Sequence, residues 1–234
     1  MSTPAAFDGV QTWVFDLDNT LYPGESDLFA QIDAKMTAYV SQLLSVDPVE
    51  AREIQKRYYG TYGTTLAGLM ALHQVDPHDF LHHAHDIDVS LLAPDPELAR
   101  LIDLLPGKRL VFTNGSRAHA DRVVRRLGLD GLFADHFDIV DTGFTPKPSR
   151  TAFDRLIARH GFAPDRAAMF EDLARNLEPA HGLGFKTVLI RSGKDWSHEP
   201  ASARPAGLDA PQADHVHYVT DCLKTFLRDV TAAV

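Results

Sequence analysis

The stretch Val14-Phe15-Asp16-Leu17-Asp18-Asn19-Thr20-Leu21-Tyr22-Pro23 decides how the rest of the chain reads. An apolar run from Val10 to Phe15, broken only by Gln11 and Thr12, has strand character. It stops at two aspartates spaced i, i+2 and followed by turn formers. Within a strand such residues share one side. At the strand's end the backbone turns, so Asp18 can face a common reacting atom from a different angle than Asp16. Open parallel sheets bind ligands at the carboxyl ends of their strands. A lone aspartate after a strand is usually an Asx turn or a helix cap, so the pair takes its meaning from the residues downstream.

Beyond Pro23 the period changes. Leu28, Phe29, Ile32, Met36, Tyr39, Val40, Leu43 and Leu44 recur at three and four residues, predicting a helix capped by Ser26 or Asp27. Asp47-Pro48 opens a second helix through Tyr59, interrupted by Gly60 and Gly63. Leu66, Leu69, Met70 and His73 mark a third, and Asp76-Pro77 starts a short fourth ending near His85. Nothing between 24 and 92 reads as a strand. From Ala93-Pro94-Asp95-Pro96 onward, strand and helix alternate. Helix is predicted over Glu97–Leu105, Ser116–Leu127, Ser149–His160, Leu173–His181 (stopped by Gly182) and Asp221–Val230. Strand is predicted over Lys108–Gly115, Asp138–Val140, Ala167–Phe170, Phe185–Ile190 and His215–Val219. Residues 193–213 read as a loop. The expected fold class is α/β, a doubly wound parallel sheet with an inserted all-helical cap. Residues 1–23 and 93–234 form its core and 24–92 its cap.

Composition narrows the function classes. A formal net charge of −9 argues against a nucleic-acid surface, which needs a basic stripe. Cys222 is the single cysteine, in a helical setting, so it forms no internal disulfide and reads as packing in a reducing, cytoplasmic protein. The N-terminus lacks the pattern of a signal peptide, and no apolar run is long enough to span a bilayer. A monomer or homodimer acting on a small molecule is expected. The histidines at 73, 78, 82 and 83 read as a solvated or cap–core face rather than a metal site. His85 and Tyr62 are the cap residues expected to face substrate. Trp13 reads as core, and Trp196 as part of a loop without a site signal.

Four strand ends carry polar clusters: Asp16/Asp18, Thr113/Asn114, Lys147 in Thr145-Pro146-Lys147-Pro148, and Glu171/Asp172. A parallel sheet gathers all four along one edge. Carboxylates from separate strands suit Mg²⁺, a hard cation that takes oxygen ligands. Lys147, Thr113 and Asn114 supply donors for an anion. Asp16 can attack phosphorus, and Asp18 can serve as general acid and then as base. Two unit charges about 4 Å apart interact by roughly 4 kcal/mol at an effective dielectric near 20. A carboxylate approaching a phosphate dianion meets about twice that repulsion, more than Lys147 alone offsets, so Mg²⁺ is expected as cofactor.

In this order the four motifs resemble those of the haloacid dehalogenase-like (HAD) phosphatases: Asp16 to Tyr22 the first, Thr113-Asn114 the second, Lys147 the third, Phe170-Glu171-Asp172-Leu173 the fourth. The resemblance implies a Rossmann-like core with Asp16 as nucleophile and metal ligand. Asp18 would be acid/base and give its backbone carbonyl to the metal, and Thr113, Asn114 and Lys147 would hold phosphate. Asp172 would be a direct Mg²⁺ ligand, with Glu171 acting through water. Asn176 stands where several relatives carry a further acidic residue. The dehalogenase branch lacks the second aspartate of the first motif, so Asp18 points to phosphate chemistry. Tyr62-Gly63-Thr64-Thr65-Leu66-Ala67-Gly68-Leu69, His85-Asp86-Ile87-Asp88 and the Asp-Asn-Thr-Leu-Tyr-Pro form of the first motif are similar to the pyrimidine 5′-nucleotidase branch. That likeness implies nucleoside monophosphates as substrates. The alternatives are a small sugar phosphate or phosphoglycolate, phosphoryl transfer to another acceptor, or a non-catalytic phosphate sensor.

Overall fold

The computed structural model describes residues 6–201 and 203–232. Six strands form one parallel sheet: β1 (Thr12–Phe15), β2 (Lys108–Phe112), β3 (Asp135–Phe137), β4 (Ala167–Glu171), β5 (Lys186–Ile190) and β6 (Tyr218–Thr220). Their order is β3-β2-β1-β4-β5-β6, so β1 lies in the middle and the chain winds outward from it in both directions. β1 pairs with β2 through Phe15↔Val111 and with β4 through Phe15↔Phe170. The Asp16 amide then donates to the Phe170 carbonyl at 2.9 Å, carrying the ladder one residue past the strand. Asp16 is thereby fixed at the sheet's edge by backbone bonding rather than left on a mobile loop.

Both faces of the sheet are covered, which is why the apolar runs of its central strands, Trp13–Phe15, Leu110–Phe112 and Ala167–Phe170, are buried without alternation. On one face Trp13, Phe15, Val111 and Phe170 pack against α5 (Pro96–Asp103), α6 (Arg117–Arg126) and α9 (Leu223–Thr231). On the other, Val14, Leu110, Phe112 and Met169 meet α7 (Arg150–His160) and α8 (Ala174–Leu183). Between β1 and α5 come α1 (Leu28–Leu44), α2 (Pro48–Tyr62), α3 (Thr65–His73) and α4 (Pro77–Ala84). These have an apolar cluster of their own, including Val40, Ile54, Tyr58, Leu69 and Phe80, into which Ile139 reaches. α2 and α3 approach closely at Gly68, where an added Cβ would lie 2.5 Å from the Tyr58 Cβ. Among the described residues no helix is long and apolar enough to cross a membrane.

Several boundaries depart from the sequence reading, each for a local reason. β3 lies at Asp135–Phe137, not Asp138–Val140. The Asp138 carboxylate accepts from the amides of Arg117, Val140 and Asp141, and this turns the chain where a strand was expected. β6 is Tyr218–Thr220 rather than His215–Val219, because the Val216 amide is drawn into a turn on Ala213 and that of His217 bonds the Thr187 hydroxyl. β2 ends at Phe112, before the polar turn. α2 runs through Gly60 to Tyr62, and α8 runs past Gly182 to end at Gly184, whose φ of +100° suits glycine. Neither Ser149 nor Asp27 caps through its side chain; Asp27 itself is left-handed, after a short 3₁₀ turn over Gly24–Ser26. Cys222 is the partly buried N-cap of α9 rather than a residue within it.

Phe153 of α7 is fully buried edge-on against Phe112 and Phe185. Phe153→Ala is expected to cost about 3–5 kcal/mol in denaturant unfolding through lost burial and an uncollapsed cavity; a loss below about 1 kcal/mol would show that the site repacks.

Candidate active site

The carboxyl ends of β1, β2 and β4 converge on the Lys147 ammonium, which is 1% exposed. It donates to Asp16 Oδ1 at 2.7 Å, Glu171 Oε2 at 2.8 Å and the Phe112 carbonyl at 2.7 Å. All three of its protons are engaged, and its neighbouring anions hold its pKa above the ordinary lysine value despite burial. Asn114 anchors the loop that delivers it: the Asn114 side chain accepts from the Lys147 amide at 2.8 Å and donates to its carbonyl at 3.1 Å. Thr113 is buried and accepts from the Gly115 amide at 2.8 Å, which leaves its hydroxyl proton available.

Asp16, Glu171 and Asp172 each offer an oxygen within 4.8 Å of the others. Burial, the Glu171 charge and the nearby Asp18 raise Asp16 to about 7 against the opposing pull of Lys147. Burial and its two carboxylate neighbours likewise push Asp172 well above the usual range. Asn176 donates to Glu171 Oε1 at 2.9 Å and Asn19 to Asp172 Oδ2 at 3.3 Å, while the buried Asn19 Oδ1 has no partner. An all-oxygen donor set whose members disfavour one another's charge fits a hard divalent cation, which would let all three ionise. The residues present therefore fit Mg²⁺.

Asp18, two residues on, is not among these three carboxylates. Its Oδ1 accepts from the Tyr22 hydroxyl at 2.5 Å and lies 2.8 Å from His119 Nε2. Burial opposes ionisation here too, but the His119 imidazole and the Tyr22 hydrogen bond outweigh it and lower the pKa. Both partners meet Oδ1, so Oδ2 is the oxygen left for substrate. His119 sits in the first turn of α6 and stacks on His85 with centroids 4.6 Å apart. The Ser116 hydroxyl lies 3.0 Å from His85 Nδ1. Burial, then the neighbouring His119, lower His85 to about 3.

A cavity of about 160 Å³ opens onto these groups, lined by Asp16, Asp18, Thr113, Asn114, Lys147, Glu171 and Asp172 of the sheet edge. Of the two cap residues expected to face substrate, His85 lines the cavity and Tyr62 does not, being 37% exposed at the end of α2. Tyr59 takes that place, with the Arg175 guanidinium 4.6 Å above its ring and burial pushing its hydroxyl up to about 12. Trp196, read from the sequence as carrying no site signal, is buried and lines the same cavity. Arg117 is tied to Asp135 and Asp141 instead of facing the site. The sequence reading also misses His119 and the pairing role of Tyr22; the i, i+4 spacing of Asp18 and Tyr22 was the available signal.

The model of the haloacid dehalogenase-like hydrolases matches residues 10–184. The chain belongs to that family. "Phosphate metabolism protein 8" of Saccharomyces cerevisiae is 30% identical over 81% of this chain, which spans 64% of the yeast protein's length. The phosphoglycolate phosphatase of Synechococcus elongatus is 23% identical over 92% of this chain and all of its own length. Among solved structures, a HAD phosphatase from Thermococcus onnurineus superposes with a TM-score of 0.62 at 18% identity, covering 95% of this chain and 98% of that one. The L-2-haloacid dehalogenase of Xanthobacter autotrophicus gives 0.58 at 18%, covering 94% and 97%. At those identities the structures show the fold, an α/β sheet with a helical region after the first strand.

Mg²⁺ at about one hundred times its Kd is expected to stabilise the protein by about 2.7 kcal/mol, read as a rise in melting temperature. Asp172→Asn should remove that rise; an undiminished shift would place the ion elsewhere. A second expectation concerns acid. His85 is neutral when folded but protonates near pH 6.5 when unfolded, so stability falls as pH drops below 6.5 toward about 3. His85→Gln should erase about 2 kcal/mol of the loss between pH 6.5 and 5 in urea titrations; an unchanged slope would mean the imidazole is solvated.

Proposed function

We propose that the protein is a Mg²⁺-dependent phosphomonoesterase working through an aspartyl phosphate on Asp16, with nucleoside monophosphates, pyrimidine ones first, as its substrates. The observation that carries the reading is the opposite treatment of two carboxylates two residues apart. Asp16 is held at the cation cluster, with Lys147 on one oxygen, while Asp18 is held apart by Tyr22 and His119. A nucleophile and a separate proton carrier are what a two-step displacement needs.

In this mechanism the free Asp16 oxygen attacks phosphorus and the ester P–O bond breaks. The departing alkoxide takes a proton from Asp18, which must first take that proton up against the lowering pull of His119 and Tyr22, as the incoming ester brings negative charge beside it. The Asp18 carboxylate then accepts a proton from water, whose oxygen attacks the same phosphorus. The Asp16–phosphorus bond breaks, releasing inorganic phosphate and restoring both carboxyls. Thr113 and Asn114 orient the phosphoryl group, Asn114 through its backbone and its grip on Lys147, and Lys147, its three protons already engaged, attracts that group by its charge. Bound at Asp16, Asp172, the Asp18 carbonyl and, through water, Glu171, Mg²⁺ would neutralise charge on nucleophile and phosphate. Residues 24–92 act as a cap over a core of 1–23 and 93–234, closing off water.

Support for a nucleoside leaving group comes from the cavity walls. Phe29, Ile32, Met36, Tyr59, Leu66, Phe80 and Trp196 give an apolar and aromatic surface beside the carboxylates, suited to a flat ring. The Synechococcus relative's name makes phosphoglycolate the competing substrate.

The test is a panel of UMP, CMP, AMP, ribose 5-phosphate and phosphoglycolate, assayed with Mg²⁺ and with chelator. Turnover of UMP and CMP above the others, lost on chelation, is expected. Asp16→Asn should lower kcat by at least about 10³-fold, and borohydride quenching during turnover should convert residue 16 to homoserine. Retained activity in the variant, or no homoserine, would end the covalent mechanism; preference for phosphoglycolate would end the nucleotide assignment.

A further inference from the structure

The cavity has a second polar wall away from the sheet edge, made by Asp33 of α1, Gln55 and Lys56 of α2, and Glu199 of the loop after β5. Asp33, Gln55 and Glu199 are 9%, 1% and 8% exposed. Lys56 bonds Asp33 Oδ1 at 2.6 Å and Glu199 Oε2 at 2.7 Å. Arg52 pairs with Asp33 Oδ2 and reaches Glu199 Oε1 at 3.0 Å. Gln55 Nε2 donates to Asp33 Oδ1 at 2.7 Å, and its Oε1 accepts from the Thr37 hydroxyl at 2.5 Å. Replacing such a buried ionic group with apolar residues is often neutral or stabilising. Its presence in an otherwise apolar wall therefore calls for a reason other than holding the helices together.

Its composition states what it can bind. Asp33 and Glu199 are balanced by Lys56 of the wall together with Arg52, which pairs with both carboxylates without lining the cavity, so the group as a whole has no net charge to attract a second anion or a cation. Every oxygen of the two carboxylates already has at least one donor: Lys56 and Gln55 on Asp33 Oδ1, Arg52 on Oδ2 and on Glu199 Oε1, and Lys56 on Oε2. Because Asp33 can only accept, it fixes the Gln55 amide with nitrogen toward it, leaving that nitrogen one further N–H. Lys56 likewise retains one proton beyond its two ion pairs. Neither has another partner among the described residues. The wall thus keeps two N–H donors with no partner among those residues, while each of its carboxylate oxygens is already paired.

We infer that Asp33, Gln55, Lys56 and Glu199 form the leaving-group recognition site, Gln55 and Lys56 donating to carbonyl oxygens of an uncharged ring such as a pyrimidine base, with Asp33 and Glu199 positioning them. The inference rests on the phosphomonoesterase reading and assigns its specificity. Because Lys56 is already paired with Asp33 and Glu199, the wall offers no unpaired cation to a carboxylate-bearing leaving group.

The 234-residue protein and its Gln55→Leu and Lys56→Met variants are compared, with Mg²⁺, on UMP and on ribose 5-phosphate, which keeps the reacting end and lacks the base. Uridine affinity is measured in parallel by calorimetry, and circular dichroism reports folding. Each variant is expected to lower the ratio of kcat/KM for UMP to that for ribose 5-phosphate by about ten-fold or more, mainly through KM, and to weaken uridine binding. Equal losses on both esters, or no loss on either, with uridine affinity unchanged, would overturn the recognition site and leave the phosphatase standing. If the wild type turns over neither ester, the phosphomonoesterase reading falls, and uridine titration still decides the wall. Binding that weakens in Gln55→Leu upholds it, and no binding to the wild type overturns it.

Discussion

The buried ammonium of Lys147 is the constraint on which the rest of the site depends. It ties Asp16 after β1, the Phe112 carbonyl of β2 and Glu171 of β4 with three hydrogen bonds of 2.7 to 2.8 Å. A charge 1% exposed is tolerable only when fully paired. Yet the pairing is incomplete from the carboxylates' side. Asp16, Glu171 and Asp172 against one lysine leave two negative charges if all ionise, and burial makes that costly. The chain alone relieves it by raising Asp16 and Asp172; a divalent ion bound there would supply the two missing charges.

The same reasoning explains why Asp16 and Asp18 differ though only Leu17 lies between them. Asp16 is still inside the β-ladder, bonded through its amide to Phe170, so its side chain goes where the sheet edge sends it. Asp18 has left the strand, and the turn hands it to Tyr22 and His119. One neighbourhood is rich in like charge and raises a carboxyl; the other offers donors and lowers one. The opposite ionisation of two identical side chains is thus set by where a strand stops.

Much of this was legible in the residues. Apolar runs ending in polar pairs located β1, β2 and β4, because strands buried on both faces carry a continuous signal. β3 and β6 are three residues each at the sheet's edges, where a side chain can outcompete the ladder: Asp138 gathers three amides into a turn, and Thr187 takes the His217 amide. In the cap, periodicity showed that helices exist but not their rotation. Tyr58, Tyr59 and Tyr62 fall within five residues, and of them Tyr62 was expected at the substrate. Tyr58 turns into the cap's core and bonds His73, Tyr62 packs edge-on against Tyr58 at the helix end, and Tyr59, about 100° further round, reaches the cavity. Trp196 and Glu199 were hidden for another reason. A loop rich in Gly, Pro and Asp has no period from which burial can be read.

That loop also shows how enclosure and recognition are joined. Glu199 meets Arg52 and Lys56, Lys194 pairs with Asp27, and Glu25 accepts from Ser192 and Gly193, so the stretch after β5 is strapped to the segment that follows the first motif. The exposed links among these contribute only about 0–1 kcal/mol apiece, far less than the apolar contacts within either layer. The polar wall of the cavity takes three residues from α1 and α2 and its fourth from the loop, so it is complete only while the strap is fastened. Some of the weakest contacts in the molecule therefore help to assemble its second polar surface. Enclosing a ligand and reading its far end become one structural event.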